Sequence, residues 1–360
     1  MNEQTSRSTR SLRSFLRAAL ARVSRHRDRL LLWLRVGIAA ALMAFVLSLV
    51  ASDFDTLRNV NWSLIPLAWA LTLLSTAVKA YRWGVFARQS GLELPFQRLL
   101  GTYFVGAFFN TVLPTSVGGD AVRAVDTASA TGRAADSTSS VLLERGIGLL
   151  AVAGAGSLFA LFLEPDTVPL PFVLLVHGLF VGGIAGVIML RQGWLFGPDA
   201  AIAERVGLGR LVAKGRHLQD AFTEQLRSPG ALVQVILLSI LANALTLGAT
   251  YLVLIAVTDP IPASSFVPMI ALATTAELIP ISIASLGVKE SAYVFFLGLV
   301  GVGSGAAGVI AIIMRALTWG HAFVGGVVFL SRTLRRVPAK APVIAGPPVD
   351  RTGVNRSREK

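Results

Sequence analysis

The chain has 360 residues, 54% of them hydrophobic and only 15% charged, so it is too long and too apolar for one water-soluble core. It contains no cysteine, which excludes disulfides and thiolate chemistry, and its four histidines (His26, His177, His217 and His321) lie too far apart for metal-ligand spacing. The net charge of +13 resides in the two ends; beside apolar spans this points to cytoplasmic segments facing anionic lipid and away from nucleic acid.

Residues 1–35 hold nine arginines against Glu3 and Asp28. Leu12, Phe15, Leu16, Ala19, Leu20 and Val23 recur among them at helical spacing. Residues 1–30 therefore read as a basic amphipathic helix on the inner leaflet. The basic region is too long, and the apolar run after it too close to a full span, for a cleaved signal peptide.

Apolar stretches follow near 32–51, 62–80, 97–113, 138–163, 169–190, 231–257, 265–282, 288–302 and 305–330. Cations flank the cytoplasmic ends of spans. The first stretch runs from Arg35 to Asp53 and Asp55, inside to outside. The second ends at Lys79, Arg82 and Arg88, inside. The loop EPDTVPLP, 164–171, carries only negative charge and reads as external. Residues 191–230 carry six arginines and lysines and read as a cytoplasmic loop, too short for a catalytic domain. The tail 331–360, Pro/Ala-rich and then basic, reads as disordered and cytoplasmic.

Counting crossings exposes two irregular segments. The chain is inside at Arg98 and outside at Glu164, and 138–163 crosses once, so 97–137 must return to the side it left. Its second arm, SVGGDAVRAVDTASATGR, is too polar to face lipid. A re-entrant hairpin with its tip near Pro114 meets both requirements, because irregular backbone survives at that depth only inside protein or along a cavity. Residues 265–303 must likewise leave from the outside and return, breaking near Pro280 in ELIPISIASLGVKES.

The two breaks match in spacing. Pro95 precedes Pro114 by 19 residues and Pro262 precedes Pro280 by 18; Asp120 precedes Arg145 by 25 and Glu290 precedes Arg315 by 25. The hairpins enter from opposite sides, so the expected fold is an all-α polytopic membrane protein. It has about eight transmembrane elements in two inverted repeats, each with a Pro-broken re-entrant hairpin. The transmembrane domain is 31–330, with repeat one about 31–163 and repeat two about 169–330. Inverted repeats of this kind characterise transporters, with the site at the midplane where broken helices meet.

An intramembrane charge costs about 2.5–3.5 kcal/mol on insertion scales and should face the interior or a wet cavity, paired. Gly118 and Gly119 permit a tight turn and close backbone approach at a helix N-terminus, suited to an anionic head group. The alternative is a plain turn, and Asp120 can cap the helix in either case. Arg123 and Arg145 form a phosphate clamp through their planar forks, or Arg123 pairs internally with Asp120 or Glu144. Lys289 and Arg315 take the corresponding parts in the second unit. Glu277 pairs with Lys289 or Arg315, or carries a proton; pairing is the usual state. Asn110 reads as a hydrogen-bonding device of the hairpin, His177 and His321 as packing residues, and Gly154, Gly182-Gly183-Gly186 and Gly301-Gly305 as helix-packing glycines. No P-loop, dinucleotide fingerprint or catalytic triad is present, so no enzyme activity, cofactor or metal is expected.

NTVLPTSVGGDAVRA (110–124), VLLERGIGLLA (141–151), ELIPISIASLGVKESA and IIMRALTW (312–319) resemble the lysylphosphatidylglycerol synthase transmembrane, or flippase-like, family over roughly residues 30–330. The resemblance implies a domain that moves lipids between leaflets. It marks Pro114, Gly118, Gly119, Asp120, Arg123, Glu144 and Arg145, with Pro280, Gly287, Glu290 and Arg315, as candidates for the head-group site. Ala-Ser-Leu at 284–286 stands where a glycine-rich turn is expected. Some relatives carry a fused aminoacyl-transferase domain; this chain has no room for one, so synthase activity is not expected. Relatives are linked to aminoacyl lipids and to polyprenyl-linked glycolipids, so the family alone does not fix the lipid.

The resulting expectation is a bacterial inner-membrane lipid translocase, multi-pass with both termini cytoplasmic. Its partner is an anionic phospholipid or a polyprenyl-phosphate-linked lipid, with a homo-oligomer or cell-envelope synthesis partners left open. The alternatives are an accessory or scaffold protein of a lipid-modification or envelope-glycan pathway, and an integral-membrane transferase on a lipid-linked substrate. In the cysteine-free background, Pro114→Cys and Pro280→Cys should resist a bulky membrane-impermeant maleimide; rapid labelling of both from bulk water would remove the two re-entrant segments.

Overall fold

The computed structural model describes residues 33–113, 117–164, 167–192, 209–278 and 281–336. Among them the regular structure is entirely helical. The helices are α1 (Trp33–Ser52), α2 (Phe54–Arg58), α3 (Leu64–Gln89), α4 (Phe96–Val112), α5 (Gly118–Thr131), α6 (Ala134–Ala160) and α7 (Leu170–Gln192), then α8 (Gly209–Gln225), α9 (Pro229–Val257), α10 (Ala263–Ala276), α11 (Val288–Gly298) and α12 (Ser304–Arg336). The N-terminal amphipathic segment, Pro114, Pro280 and residues 337–360 lie outside the described residues.

Six of these helices (α1, α3, α6, α7, α9 and α12) are long and apolar enough to cross a membrane. A 30 Å hydrocarbon layer needs about 20 helical residues. The four helices on either side of the two breaks have 17, 14, 14 and 11 residues, so none of them spans alone. The protein is a polytopic membrane protein.

Local chemistry sets several of these ends. After α3, Gly91 takes φ 65°, and its N–H and that of Leu92 return to the Arg88 and Ala87 carbonyls, a glycine C-terminal motif. Gly132 ends α5 in the same way, with φ 70°. Ser228 caps α9, accepting from the Ala231 N–H at 3.3 Å, and Pro229 occupies the first turn.

The two longest contacts between distant parts of the chain run α3 against α9 and α4 against α12, followed by α6 against α10. α3 and α9 are antiparallel: Arg82 meets Ser239 at one end of the contact and Ser75 meets Thr246 at the other. Each hairpin packs internally, α4 on α5 and α10 on α11, and each second arm packs on the next long helix, α5 on α6 and α11 on α12. A broad apolar core around the second hairpin joins Ala68, Val253, Phe266, Ile270, Leu297 and Ile310. The core behind the first hairpin is small, built on Trp83, Leu99 and Val141; polar side chains fill the rest.

Three sequence expectations change. α3 runs through Lys79 and Arg82 to Gln89, and Arg82 is only 2% exposed. Arg82 is therefore an interior charge and not the solvent-facing flank that the topological reading made of it; Arg88 remains exposed. Residues 191–230 are not a plain loop: they include α8, docked on α6, where the buried Gln225 donates to Ser90 Oγ and Ser139 Oγ, both at 2.7 Å. The last helix runs to Arg336, past the boundary placed at 330. The packing reading holds for Gly154, Gly183 and Gly305 and for the histidines, whereas Gly182, Gly186 and Gly301 face open space. Gly154 abuts Phe180 and Gly183 abuts Leu150 across α6 and α7. His177 bonds Ser157 at 2.6 Å, and His321 stacks on Phe104.

Gly325 on α12 lies directly on the Phe104 carbonyl and the Phe108 side chain of α4, with no room for a Cβ. Gly325→Ala should therefore lower the detergent-solubilised protein's stability by about 1–3 kcal/mol, seen as a lower thermal midpoint. Gly178→Ala, in open space on α7, should leave the midpoint unchanged.

Candidate functional site

The first hairpin is closed by backbone proximity. Gly119 lies on the Gly106 carbonyl, a contact that excludes any side chain at 119. Its N–H donates to Asn110 Oδ1 at 2.7 Å, across the break, the hairpin-bonding part expected for Asn110. Asp120 then falls on the third residue of α5, and Arg123 one turn later. No side chain caps α5; Asp120 pairs instead with Arg123, at 3.2 Å, and with Arg145.

These pairs belong to a larger array centred on Glu144, itself 2% exposed. Arg82 Nη2 donates to Glu144 Oε1 at 2.6 Å, and Arg82 Nη1 to Ser239 Oγ at 2.8 Å. Arg123 donates through both Nη atoms to Glu144 Oε2 at 3.2 Å. The order is Arg82, Glu144, Arg123, Asp120, Arg145, so opposite charges alternate throughout. The Arg123 guanidinium also lies between the rings of Trp83 and Tyr103, at 4.4 and 4.2 Å from their centroids. Each such desolvated contact is worth up to about 2 kcal/mol. Arg123 is thus committed to internal pairing, the alternative left open by its sequence position.

Beside this array lies a cavity of about 260 Å³. Its wall brings together Asn110, Asp120, Arg123, Glu144 and Arg145 from the first hairpin and α6, Lys79 and Asn243 from the α3–α9 contact, and Glu277 from the second hairpin. Arg145 is the most exposed of the wall arginines, its side chain 27% accessible. Lys289 Nζ pairs with Glu277 Oε1 at 2.8 Å, so Lys289 reaches the wall through its partner. On the wall itself Lys79, Arg82, Arg123 and Arg145 face three carboxylates, Asp120, Glu144 and Glu277, one positive charge in excess; Lys289, off the wall, adds a second behind Glu277.

The second hairpin is built differently. Glu290 is fully buried, pairs with Arg315 and accepts from the Gly287 N–H at 2.8 Å. Arg315 Nη2 donates to the Ser285 carbonyl at 3.0 Å. Gly287 has φ 78°, and Ala284 and Ser285 have φ 50° and 53°. The missing glycines do not prevent the turn; two ordinary residues adopt left-handed backbone at a cost on the order of 1–3 kcal/mol each, held by the Arg315 bond. Gly287, Glu290 and Arg315 lie off the cavity wall, as do Gly118 and Gly119, which shape the first turn.

Sequence reasoning missed Arg82, Lys79, Asn243, Tyr103 and Trp83. A signal was present in α3: Ser75, Lys79 and Arg82 stand at i, i+4 and i+7, a polar stripe on an apolar helix. Ser239, Asn243 and Thr246 repeat that spacing on α9.

Residues 32–326 match the family model described as Lysylphosphatidylglycerol synthase TM region. No curated protein matches the chain.

Removing one partner of a buried ion pair costs about 3–5 kcal/mol, because it strands the other charge. Glu144→Gln should destabilise the purified protein by about that amount in thermal or denaturant unfolding. Tyr103→Phe, which loses only the 3.4 Å contact of its hydroxyl with Glu144, should cost about 1 kcal/mol or less.

Proposed function

The chain belongs to the lysylphosphatidylglycerol synthase TM region family, and we propose that it is a lipid translocase that passes a phosphate-containing head group between leaflets through this cavity. The carrying observation is a cavity lined by four cations against three carboxylates, with Lys289 paired behind Glu277, its wall drawn from the first helix pair and the end of α10. A head group crossing hydrocarbon faces a large desolvation cost. A wall of arginine, lysine and amide donors replaces its water while the acyl chains stay in the bilayer. The reading assigns the chain no bond-breaking step of its own, and places it in a bacterial inner membrane with both termini cytoplasmic.

The reading includes two inverted repeats, and three features fit that arrangement. Lys79 precedes Pro95 by 16 residues and Thr246 precedes Pro262 by 16, and the two side chains touch at 3.2 Å. Equivalent residues meet in this way only near a two-fold axis. The antiparallel α3–α9 pair fits such an axis, and the α4–α12 and α6–α10 contacts exchange under it. On this reading the hairpins enter from opposite faces and share one midplane site.

Reconstituted in vesicles, the protein should move fluorescent phosphatidylglycerol from one leaflet to the other, measured by quenching of the outer leaflet. Arg145→Ala should slow the exchange about tenfold or more, the usual effect of losing a charged hydrogen-bond donor. No exchange above protein-free vesicles, from correctly folded wild-type protein, would overturn the reading.

A further inference from the structure

Two polar side chains on the cavity wall lack the partners that their neighbours have. Among the described residues Lys79 Nζ reaches only the Thr246 hydroxyl, at 3.2 Å, and makes no ion pair. Asn243 is 7% exposed, and its buried amide nitrogen has no acceptor. The two lie together. The Arg82–Ser239 and Lys79–Thr246 contacts bracket Asn243, which stands one turn after Ser239 and just under one turn before Thr246. The three carboxylates of the wall are engaged elsewhere: Glu144 by Arg82 and Arg123, Asp120 by Arg123 and Arg145, and Glu277 by Lys289.

Polar groups inside a membrane protein are normally paired, and a buried donor without an acceptor asks for a missing one. Resting on the translocation reading, we propose that Lys79 and Asn243 form the subsite that holds the phosphate of the head group, its oxygens accepting from Nζ and Nδ2. The arginines are locked in planar forks around Glu144 and Asp120. The lysine is a compact charge with three rotating donors on a flexible stem, so it can follow a phosphate that moves past. The chemistry recognised is a phosphate oxyanion, from a lipid or free in solution.

The test is equilibrium binding of radiolabelled phosphatidylglycerol to the purified full-length protein in detergent. Diacylglycerol of the same chains and inorganic phosphate serve as competitors. Lys79→Met and Asn243→Leu should each weaken phosphatidylglycerol binding about tenfold. Lys79→Arg should stay within about threefold of wild type, which keeps the test decisive if the methionine variant does not fold. Lys79→Met should also hold or raise the thermal midpoint, because it removes an unpaired intramembrane cation; a structural lysine would do the opposite.

Diacylglycerol should not compete. Competition by millimolar inorganic phosphate supports the subsite and shows that it takes the free anion too. Wild-type affinity in both Lys79→Met and Asn243→Leu, or competition by diacylglycerol equal to that of phosphatidylglycerol, overturns the proposal. Tight, phosphate-dependent binding without leaflet exchange leaves the subsite and removes the translocation reading. Leaflet exchange with unaltered affinity in both variants does the reverse.

Discussion

A carboxylate can sit inside a membrane protein only when cations and hydrogen-bond donors replace its water, and Glu144 is where that requirement organises this molecule. Two charges taken from water each lose several kcal/mol of hydration, returned only if geometry is good and remaining donors are used. Here the alternation of three guanidiniums with two carboxylates meets that demand. Its members come from α3, α5 and α6, so satisfying Glu144 fixes the relative positions of three helices. Gly119 and Asn110 then matter because they set the depth at which α5 begins, and so where Asp120 and Arg123 fall.

The two halves meet the same requirement by different means. Around the second hairpin one carboxylate, Glu290, has one cation, Arg315, plus the Gly287 N–H, sealed in an apolar core. Around the first, Glu144 and Asp120 each contact two cations, and the array borders open space. An apolar jacket raises the strength of a single pair by lowering the local dielectric. Beside open space that help is weaker, and Glu144 and Asp120 have two cations each. The same difference explains why Arg315 also holds the Ser285 carbonyl: the strained turn at Ala284 and Ser285 needs an anchor, and Arg315 is the cation in reach.

Helix positions were legible because apolar runs, proline breaks and glycine ends are local signals, and α5 and α9 begin and end near where those residues put them. Asp120, Glu144, Arg145 and Glu277 were legible as interior charges because each stands amid apolar neighbours. Arg82 and Lys79 were not, because a cation near a span end satisfies the positive-inside pattern equally well. Only the packing of α3 on α9 shows that these turns lie within the protein. Asn243 was invisible for a further reason: one amide in an apolar helix carries no charge, and its meaning depends on what lies opposite. The pairing of Glu277 with Lys289 rather than Arg315 was also unresolved by spacing, since both lie within reach of one turn.

If the two units are related as proposed, the contact of Lys79 with Thr246 bears on how such a repeat can present a single charge. Near a two-fold axis each residue faces its own counterpart. Two lysines about 4 Å apart would repel by about 4 kcal/mol at an effective dielectric of 20, and two threonines would supply no charge at all. Lysine on one side and threonine on the other gives one cation with a neutral neighbour that accepts its hydrogen bond. On the proposed repeat, that departure from symmetry is a physical condition for placing one positive charge at the α3–α9 contact. One turn further along α3, Arg82 draws its hydrogen-bonding support from Ser239 of α9. Along this contact the charges stand on α3 and the hydroxyls that support them on α9.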